Sequence, residues 1–582
     1  MNINLKKFKK ELLFLPLGGS GEIGLNCNLY HYEGKWIMVD CGIGFTKEIP
    51  GVDVIVPDIS FIKKYKKDLL GIIITHIHED HLGAIQHLWQ ELEAPIYTSH
   101  FTATFLKEKL RRTDFLDKVV IREIKEGDKI KLKPFNLEFI GLTHSTVEMN
   151  AILIGTKAGN ILHTGDWKLD MNPVAGKKSN VARLQELGKN KEILATICDS
   201  TNIFSEGDSK SESDLLQSFI NIISKEKGAV VCATFASNIS RVKTLVKAAK
   251  ACGRKTCLVG SSLLRIAKVG KETGYLSNGI KFVSDKELKK YKKSEIFILA
   301  TGCQGENLAA LNKIANNAHP KIKLSKKDTV IFSSKMIPGN EKSIMKLYNK
   351  LAEKDVKIIS EANAFVHVSG HYARNDLVKL YKYTKPQVAI ATHGEAMHLA
   401  EHKRLAEKCG IQKVLKAQNG GIMLINKESP RIIDIIELTN VAVDGKRLIE
   451  TSNNVIKERK KILNAGIIFI NMIIDKDYKL LRKPTVVATG AYDLNKDKIM
   501  KEIFEEDISK AYKKAIKELD IIISKKEKDR DGKKKFSKDE DKQQFIGQII
   551  KAKVNKICLD DMGKKPVLRV EFAITKCKKS FF

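Results

Sequence analysis

The chain has 582 residues, 43% of them hydrophobic, with 102 Lys and Arg against 69 Asp and Glu, a formal charge of +33. Its length exceeds one hydrophobic core and predicts roughly three or four domains, and the apolar content with few prolines excludes a largely disordered protein. The basic excess favours a polyanionic partner such as nucleic acid, although a lysine- and isoleucine-rich proteome inflates it too. Ten scattered cysteines with no C-x-x-C pair argue against a cysteine zinc site and suit a reducing cytosol. The first apolar run, "ELLFLPLGG", carries Glu11 and ends in a glycine turn, so it reads as a strand and no signal peptide is expected. No stretch reaches the ~18 apolar residues of a membrane helix. A cytoplasmic protein with no membrane partner is the expectation.

From 12 to 165 short apolar strands alternate with turns: "LLFLPLGG", "CNLYHY", "KWIMVDCG", "GIIITH", "APIYTS" and "FNLEFIGLTHS", with helices near 84–92 and 101–112. The pattern predicts sheets packed face to face under a few outer helices. After "ATICDSTN" (195–202) the rhythm changes to helix and strand in alternation. "DLLQSFINIISKEK", "GAVVCATF", "SRVKTLVKAAKACG", "KTCLVGSS", "SEIFILATG", "DTVIFSSK", a helix near 340–353 and "VKIISEA" predict a parallel α/β sheet. "QVAIATHGEAMHLAEHKRLAEKCG" adds a strand, loop and helix, followed by strands "GIMLINK" and "RIIDIIEL". Residues 455–582 predict further helices and the strands "VNKICL" and "VLRVEFAI", with a solvated linker or loop over 525–544. The last of fourteen histidines is His402, so a histidine-built site excludes the C-terminal region, which is left for assembly or substrate contact.

"THIHEDH" (75–81) puts three histidines and two acids where the strand "LLGIII" runs out. Imidazole and carboxylate donors suit Zn²⁺, with Mn²⁺ the chief rival. His76 and His78, two apart on extended backbone, reach the same side, while Asp80 and His81 follow the bend. Four donors in six residues cannot all wrap one tetrahedral ion, so two ions sharing the loop is the natural solution. A surface loop that is merely His-rich is the bland alternative. Further candidates end other strands: His144 in "GLTHST" and Asp166 in "HTGDWKLD". Asp40 in "WIMVDCG" suits orienting a ligand histidine better than binding metal. His163 reads as a packed or supporting histidine.

With Asp40 ahead and His144 and Asp166 behind, this string resembles the signature of the metallo-β-lactamase fold, an αββα sandwich carrying one or two zinc ions. The resemblance implies one zinc on His76, His78 and His144, a second on Asp80 and His81, and Asp166 bridging. "DSTN" (199–202), "HVSGH" (367–371) and "ATHGE" (391–395) resemble motifs A, B and C of the β-CASP nucleases, which insert an α/β domain into that sandwich. Finer matches, "GGSGEIGLN", "HTGDWKLD", "TFASNISR", "TGCQGE", "SSKMIPGNE", "HVSGH" and "HGE", resemble the ribonuclease J family from the N-terminus to about 400. The fold class implied is α/β: a sandwich over 1–202 and 385–454, an inserted β-CASP domain over 203–384, and a small α+β C-terminal domain over 455–582. Two departures stand out. Ser240 takes a position where many relatives carry His, and "STVEMN" after His144 lacks an Ile-Pro.

His393 follows the strand "VAIAT" and can complete the second ion's ligands. The expected reaction is two-metal phosphodiester hydrolysis, with Asp80 as both ligand and possible base, and Asp199 of motif A and His371 as catalytic residues. His371 carries no metal duty and helps the 3′-oxygen leave. Backbone N–H groups of His367, Val368, Ser369, Gly370 and His371, with the Ser237 side chain, are expected to hold a 5′-monophosphate, which favours monophosphorylated over triphosphorylated RNA. The resemblance further implies 5′-to-3′ exonuclease and endonuclease activity in RNA maturation and decay. It also implies two Zn²⁺ per subunit with Mn²⁺ or Mg²⁺ possible in activity, a homodimer or homotetramer, and partners in RNA-decay assemblies. Two rivals remain. A non-nuclease metallo-hydrolase leaves the insertion, His371, His393 and the charge without purpose, and a dead RNA-binding scaffold conflicts with the full ligand set.

Overall fold

The computed structural model describes residues 5–276, 279–524 and 538–575, and the counts below are of these. The chain divides into two compact units, 1–45 with 54–443, and 46–53 with 444–582.

In the first unit, an eight-stranded sheet runs in the order Arg431–Ile435, Gly421–Ile425, Leu12–Gly18, Cys27–Tyr32, Lys35–Val39, Leu69–Ile73, Ile96–Ser99 and Ile121–Ile124. A seven-stranded sheet runs Lys129–Leu132, Phe135–Gly141, Asn150–Thr156, Gly159–His163, Ile193–Asp199, Val388–Thr392 and Lys413–Lys416. Strands such as "LLFLPLG" are apolar on both faces because both are covered. Between the sheets Phe14, Tyr30, Ile37 and Ile73 meet Phe139, Ile152, Ile161 and Ile390 in one core. Outside the second sheet, Trp167, Leu184, Tyr372 and Leu377 form another core. The expected face-to-face sheets under outer helices are what the chain builds.

Register does the work of bringing distant residues together. Val39 pairs with Ile73 in a parallel ladder, so Asp40 and Thr75 leave the sheet at the same end. In the other sheet His163 pairs with Ile197, and Asp199 with Thr392, again in parallel. Asp166, Asp199 and His393 therefore emerge beyond the carboxyl ends of three adjacent strands, the usual place for a site in such sheets.

The segment between Asp199 and Val388 forms a five-stranded sheet in the order Lys255–Val259, Ile296–Ala300, Val230–Ala233, Thr329–Phe332 and Lys357–Ile359. All its pairings are parallel, as the helix–strand alternation predicts.

The second unit packs Asn454–Ala465, Lys498–Ser524 and Asp539–Met562 with a three-stranded sheet, Thr485–Thr489, Ile467–Asp475 and Val567–Thr575. Two expectations are corrected here. "VNKICL" is not a strand: Ile546, Ile550, Val554 and Cys558 recur every fourth residue and form the buried stripe of helix Asp539–Met562. That helix also takes in 539–544, the end of the expected linker, whose residues 525–537 lie outside the described residues. Thr46–Asp53 and the chain from Asp444 onward group in this second unit.

Candidate metal centre

"THIHEDH" leaves its strand and turns into the short helix Glu79–Leu82, with His78 extended at the turn. His76 Nε2 and His144 Nε2 each approach His78 Nδ1 at 3.0 Å. Asp166 Oδ2 lies 4.0 Å from His76 Nε2 and 3.9 Å from His144 Nε2. A second group follows around the same carboxylate. Asp166 Oδ2 is 3.1 Å from His81 Nε2, Oδ1 is 2.8 Å from His393 Nδ1, and Asp80 Oδ2 is 3.6 Å from both His81 Nε2 and His393 Nε2. His76, His78, His144 and Asp166 thus form one potential metal-binding cluster, and Asp80, His81, Asp166 and His393 another.

The hydrogen bonds around these rings test whether cations fit. Thr75 Oγ1 donates to Asp40, so it accepts from His76 Nδ1 at 2.9 Å and leaves His76 Nε2 as a lone pair. His144 Nδ1 donates to Gly370 O at 2.8 Å, which exposes Nε2 in the same way. Those two lone pairs face one His78 nitrogen, which can donate to only one of them. His81 Nδ1 donates to Asp40 Oδ2 at 2.7 Å and its Nε2 lies 3.1 Å from Asp166 Oδ2. Burial opposes charge on this ring, but Asp166, Asp40 and Asp80 outweigh it and hold its pKa well above the usual imidazole range, so the second group attracts positive charge. Lone pairs turned on one another around His78 repel unless a cation lies among them, and the donor set of both groups suits Zn²⁺ or Mn²⁺. Burial holds His76 and His144 well below the usual imidazole range, with neighbouring imidazoles adding to the effect. Burial also draws His78 down to about 4. Neutral rings of this kind are the form that binds metal.

Asp40 joins His81 to Thr75 from a left-handed backbone conformation (φ 63°). His393 has φ 46°, again rare for a residue with a side chain, and such strain collects at working sites. His163 donates nothing to the cluster and bonds the Tyr30 hydroxyl at 2.7 Å.

A third cluster shares the same carboxylate: Asp166, Asp199 and His371. His371 Nδ1 donates to Asp199 Oδ2 at 2.8 Å, and His371 Nε2 lies 3.9 Å from Asp166 Oδ2. Burial opposes charge on His371, but Asp199 and Asp166 outweigh it and raise its pKa to about 9. Its side chain is 27% exposed and Asp80 28%, whereas His76 is fully buried. These two, with the half-buried His78, are the groups of the centre that a substrate can reach.

"HVSGH" differs from expectation in detail. The His371 N–H is taken by Ser369 Oγ at 3.0 Å, and Gly370 has no left-handed φ, so the run is not a free nest. Gly370 is required for space: a Cβ there would sit 2.9 Å from His144 Cε1. His367 is held neutral, well below its usual range, by burial and then by Arg241, whose Nη1 lies 3.4 Å from His367 Nδ1. Arg241 is fully buried, pairs with Glu212, and donates to Val368 O at 3.2 Å. Ser237 lies half-buried just ahead of helix Ile239–Ala251, which Arg241 ties to 366–368. A small solvent-open recess adjoins His144, lined by Ser145, Lys168, Ser240, Val368 and Ser369.

Sequence reasoning missed several contributors. Asn26 Nδ2 lies 3.1 Å from His81 Nε2 and 3.2 Å from His393 Nε2, so it stands between the two rings. Gly24 N–H donates to His393 Nε2 at 3.3 Å. Thr75 orients Asp40 and His76, and Thr201 bonds His371 Nδ1 at 2.8 Å. The only signal was position: each stands in or beside a motif, without a side chain that suggests metal.

Comparison with known proteins follows the same lines. Family models match in three segments: the metallo-beta-lactamase superfamily over 21–173, the ribonuclease J beta-CASP domain over 227–351, and the Zn-dependent metallo-hydrolase RNA specificity domain over 355–415. Ribonuclease J of Sinorhizobium meliloti is 39% identical over 486 residues, 83% of this chain and 86% of that protein. Ribonuclease J of Helicobacter pylori (strain ATCC 700392 / 26695) is 32% identical over 86% of this chain and 73% of its own. That of Thermus thermophilus is 30% identical over 80% and 82%. A crystal structure of a protein of unknown function from Enterococcus faecalis V583 shares the fold, with TM-score 0.51 and 17% identity over 73% of this chain and all of that one. With the sandwich, its α/β insertion and this run of relatives together, the chain belongs to the ribonuclease J family, a metallo-β-lactamase fold with an inserted β-CASP domain.

Proposed function

We propose that this protein is a metal-dependent ribonuclease that hydrolyses RNA phosphodiester bonds, degrading chains from a 5′-monophosphate end and also cutting internally. Asp166 is the observation that carries the reading. Its Oδ1 faces His393 at 2.8 Å, its Oδ2 faces His81 at 3.1 Å and the His76–His144 group near 4 Å, and His371 with Asp199 stands on its open side. The lone-pair pattern supports two divalent cations, Zn²⁺ or Mn²⁺, held by His76, His78, His144 and Asp166, and by Asp80, His81, Asp166 and His393. When bound, they supply an acidified water and positive charge for the phosphoryl oxygens.

The remaining chemistry belongs to side chains. Asp80 is partly exposed and can take a proton at its free carboxylate oxygen. Asp199 fixes His371 through Nδ1, which leaves Nε2 to hold a proton and deliver it to the departing 3′-oxygen. The hydrogen bond from Nδ1 to Asp199 at 2.8 Å favours the protonated ring. Asp40 and Thr75 hold His81 and His76 in one tautomer, and Gly370 O does so for His144. The recess beside Ser369, Val368 and His144 is where the 5′-terminal phosphate is placed in this reading, with Ser237 and His367 as further contacts of the 5′ nucleotide. The basic charge and the RNA-specificity match over 355–415 support RNA as substrate. Roles in ribosomal RNA processing and mRNA decay in the cytoplasm, in a dimer or tetramer and with RNA-decay partners, are part of the same proposal.

The test gives purified protein, with Zn²⁺ or Mn²⁺, RNA bearing a 5′-monophosphate or a 5′-triphosphate, beside a His78→Ala, Asp80→Ala double variant. Mononucleotides released faster from the monophosphate, and lost in the variant, are expected. His371→Gln should retain its metal while turnover falls by about 10²–10⁴-fold. No cleavage by wild type, or equal cleavage by the double variant, refutes the reading.

A further inference from the structure

Phe204 is a large apolar side chain left 49% exposed just beyond Asp199. Its turn is held firmly. Ile203 is fully buried, Arg374 donates to Ser205 O at 2.8 Å and to Ile203 O at 3.3 Å, and Asn202 Nδ2 donates to Tyr372 O at 2.8 Å. Arg374 is itself anchored by Glu401 at 2.9 Å. A ring presented to water from so fixed a turn is preorganised for a contact.

The Phe204 ring meets the imidazole of His398 edge-on, with centroids 5.4 Å apart. His398 stands in the first turn of helix Ala396–Lys408, beside the backbone of the catalytic strands: a Cβ on Gly394 would lie 2.9 Å from His398 Cβ and 3.3 Å from Ser200 Cβ. His398 Nδ1 is buried without a hydrogen-bond partner among the described residues. Met397 beside it is 57% exposed, and Lys335 lies within electrostatic reach of both His398 and His367.

We propose that Phe204 and His398 form a stacking platform for one nucleobase of single-stranded RNA. The inference rests on the ribonuclease reading and adds to it a subsite outside the motifs. Contacts run from the open space at His144 to His371, with centroids 4.9 Å apart, then to His393 at 6.2 Å, and from Gly394 to His398. The platform is therefore reached from that space through His371 and His393, at the far end of this run of contacts. With a 5′-terminal nucleotide in the space, the platform takes a base on the 3′ side of the scissile bond. An aromatic face accepts every base, so it grips the incoming chain without selecting sequence, and Lys335 is positioned to meet a neighbouring phosphate.

The test uses full-length wild type, Phe204→Ala and Phe204→Trp with 5′-monophosphate oligoribonucleotides carrying one abasic residue at successive positions. One abasic position should raise wild-type KM by about 5- to 100-fold, and Phe204→Ala should raise KM on intact RNA by a similar factor. That abasic RNA then suffers no further loss with Phe204→Ala, while Phe204→Trp behaves as wild type. Unchanged KM in Phe204→Ala, or the same abasic penalty in both proteins, overturns the platform. Binding of the same RNAs in chelator separates the two readings. RNA bound but never cut removes the ribonuclease and leaves the platform to be judged on Kd, while RNA not bound at all removes both.

Discussion

Gly370→Ala is the smallest change that tests how the centre is assembled. A Cβ at 370 lies 2.8 Å from Ser145 Cβ, 2.9 Å from His144 Cε1 and 3.0 Å from His144 Nδ1. Non-bonded carbons rest about 3.5–4.0 Å apart, so the ring or the loop must retreat by roughly 0.6–1 Å. His144 has no free direction in which to yield, because its Nδ1 is bonded to Gly370 O and its Nε2 faces His78 at 3.0 Å. Losing the orienting bond weakens cation binding by about 10–100-fold. A misplacement near 1 Å costs turnover on the order of 10²-fold. The φ of Gly370 is not left-handed, so backbone strain contributes nothing and the whole effect is steric. Cation content after dialysis, measured by elemental analysis, and initial rates of RNA cleavage read the two effects separately. An alanine variant that keeps its cations and cleaves within about threefold of wild type refutes the account.

Three further outcomes follow from the same contacts. Asp40→Asn leaves Thr75 and His81 competing for one oxygen where they had two, and should lower cation affinity by about 10–100-fold, read by chelator competition. Arg241→Met strands the buried Glu212 carboxylate and should destabilise the protein by about 3–5 kcal/mol; removing Glu212 as well should recover part, and an unchanged unfolding temperature in the single variant counts against it. His402 is fully buried between Ser200 Oγ and Tyr381 OH, and burial lowers its pKa from 6.5 to about 4. The unfolded chain binds that proton near 6.5 while the folded one refuses it. This contribution is therefore complete above pH 6.5 and shrinks as pH falls toward 4, by up to about 3 kcal/mol. Denaturant midpoints from pH 7 to 4.5 should fall less steeply in His402→Gln, and equal slopes remove His402 as a cause.

The donors within "THIHEDH" could be singled out in the chain because their chemistry is local. An apolar strand followed by His76, His78, Asp80 and His81 carries its meaning in adjacent residue types, and the helix–strand alternation of the insertion is likewise a short-range pattern. "VNKICL" misled because six residues suit a strand, while the spacing from Ile546 to Cys558 that makes it helical emerges only over a longer window and against its own core. Nothing near Asn26 foretells two imidazoles, and nothing in "HVSGH" foretells that Gly370 exists to make room for His144. Those roles are created by strand register: pairing Val39 with Ile73 in one sheet, and Asp199 with Thr392 in the other, brings residues far apart in the chain to the ends of strands that border the centre. Residue type sets what a side chain can bind, but which side chains share a lone-pair-lined space depends on long-range packing that no local stretch encodes.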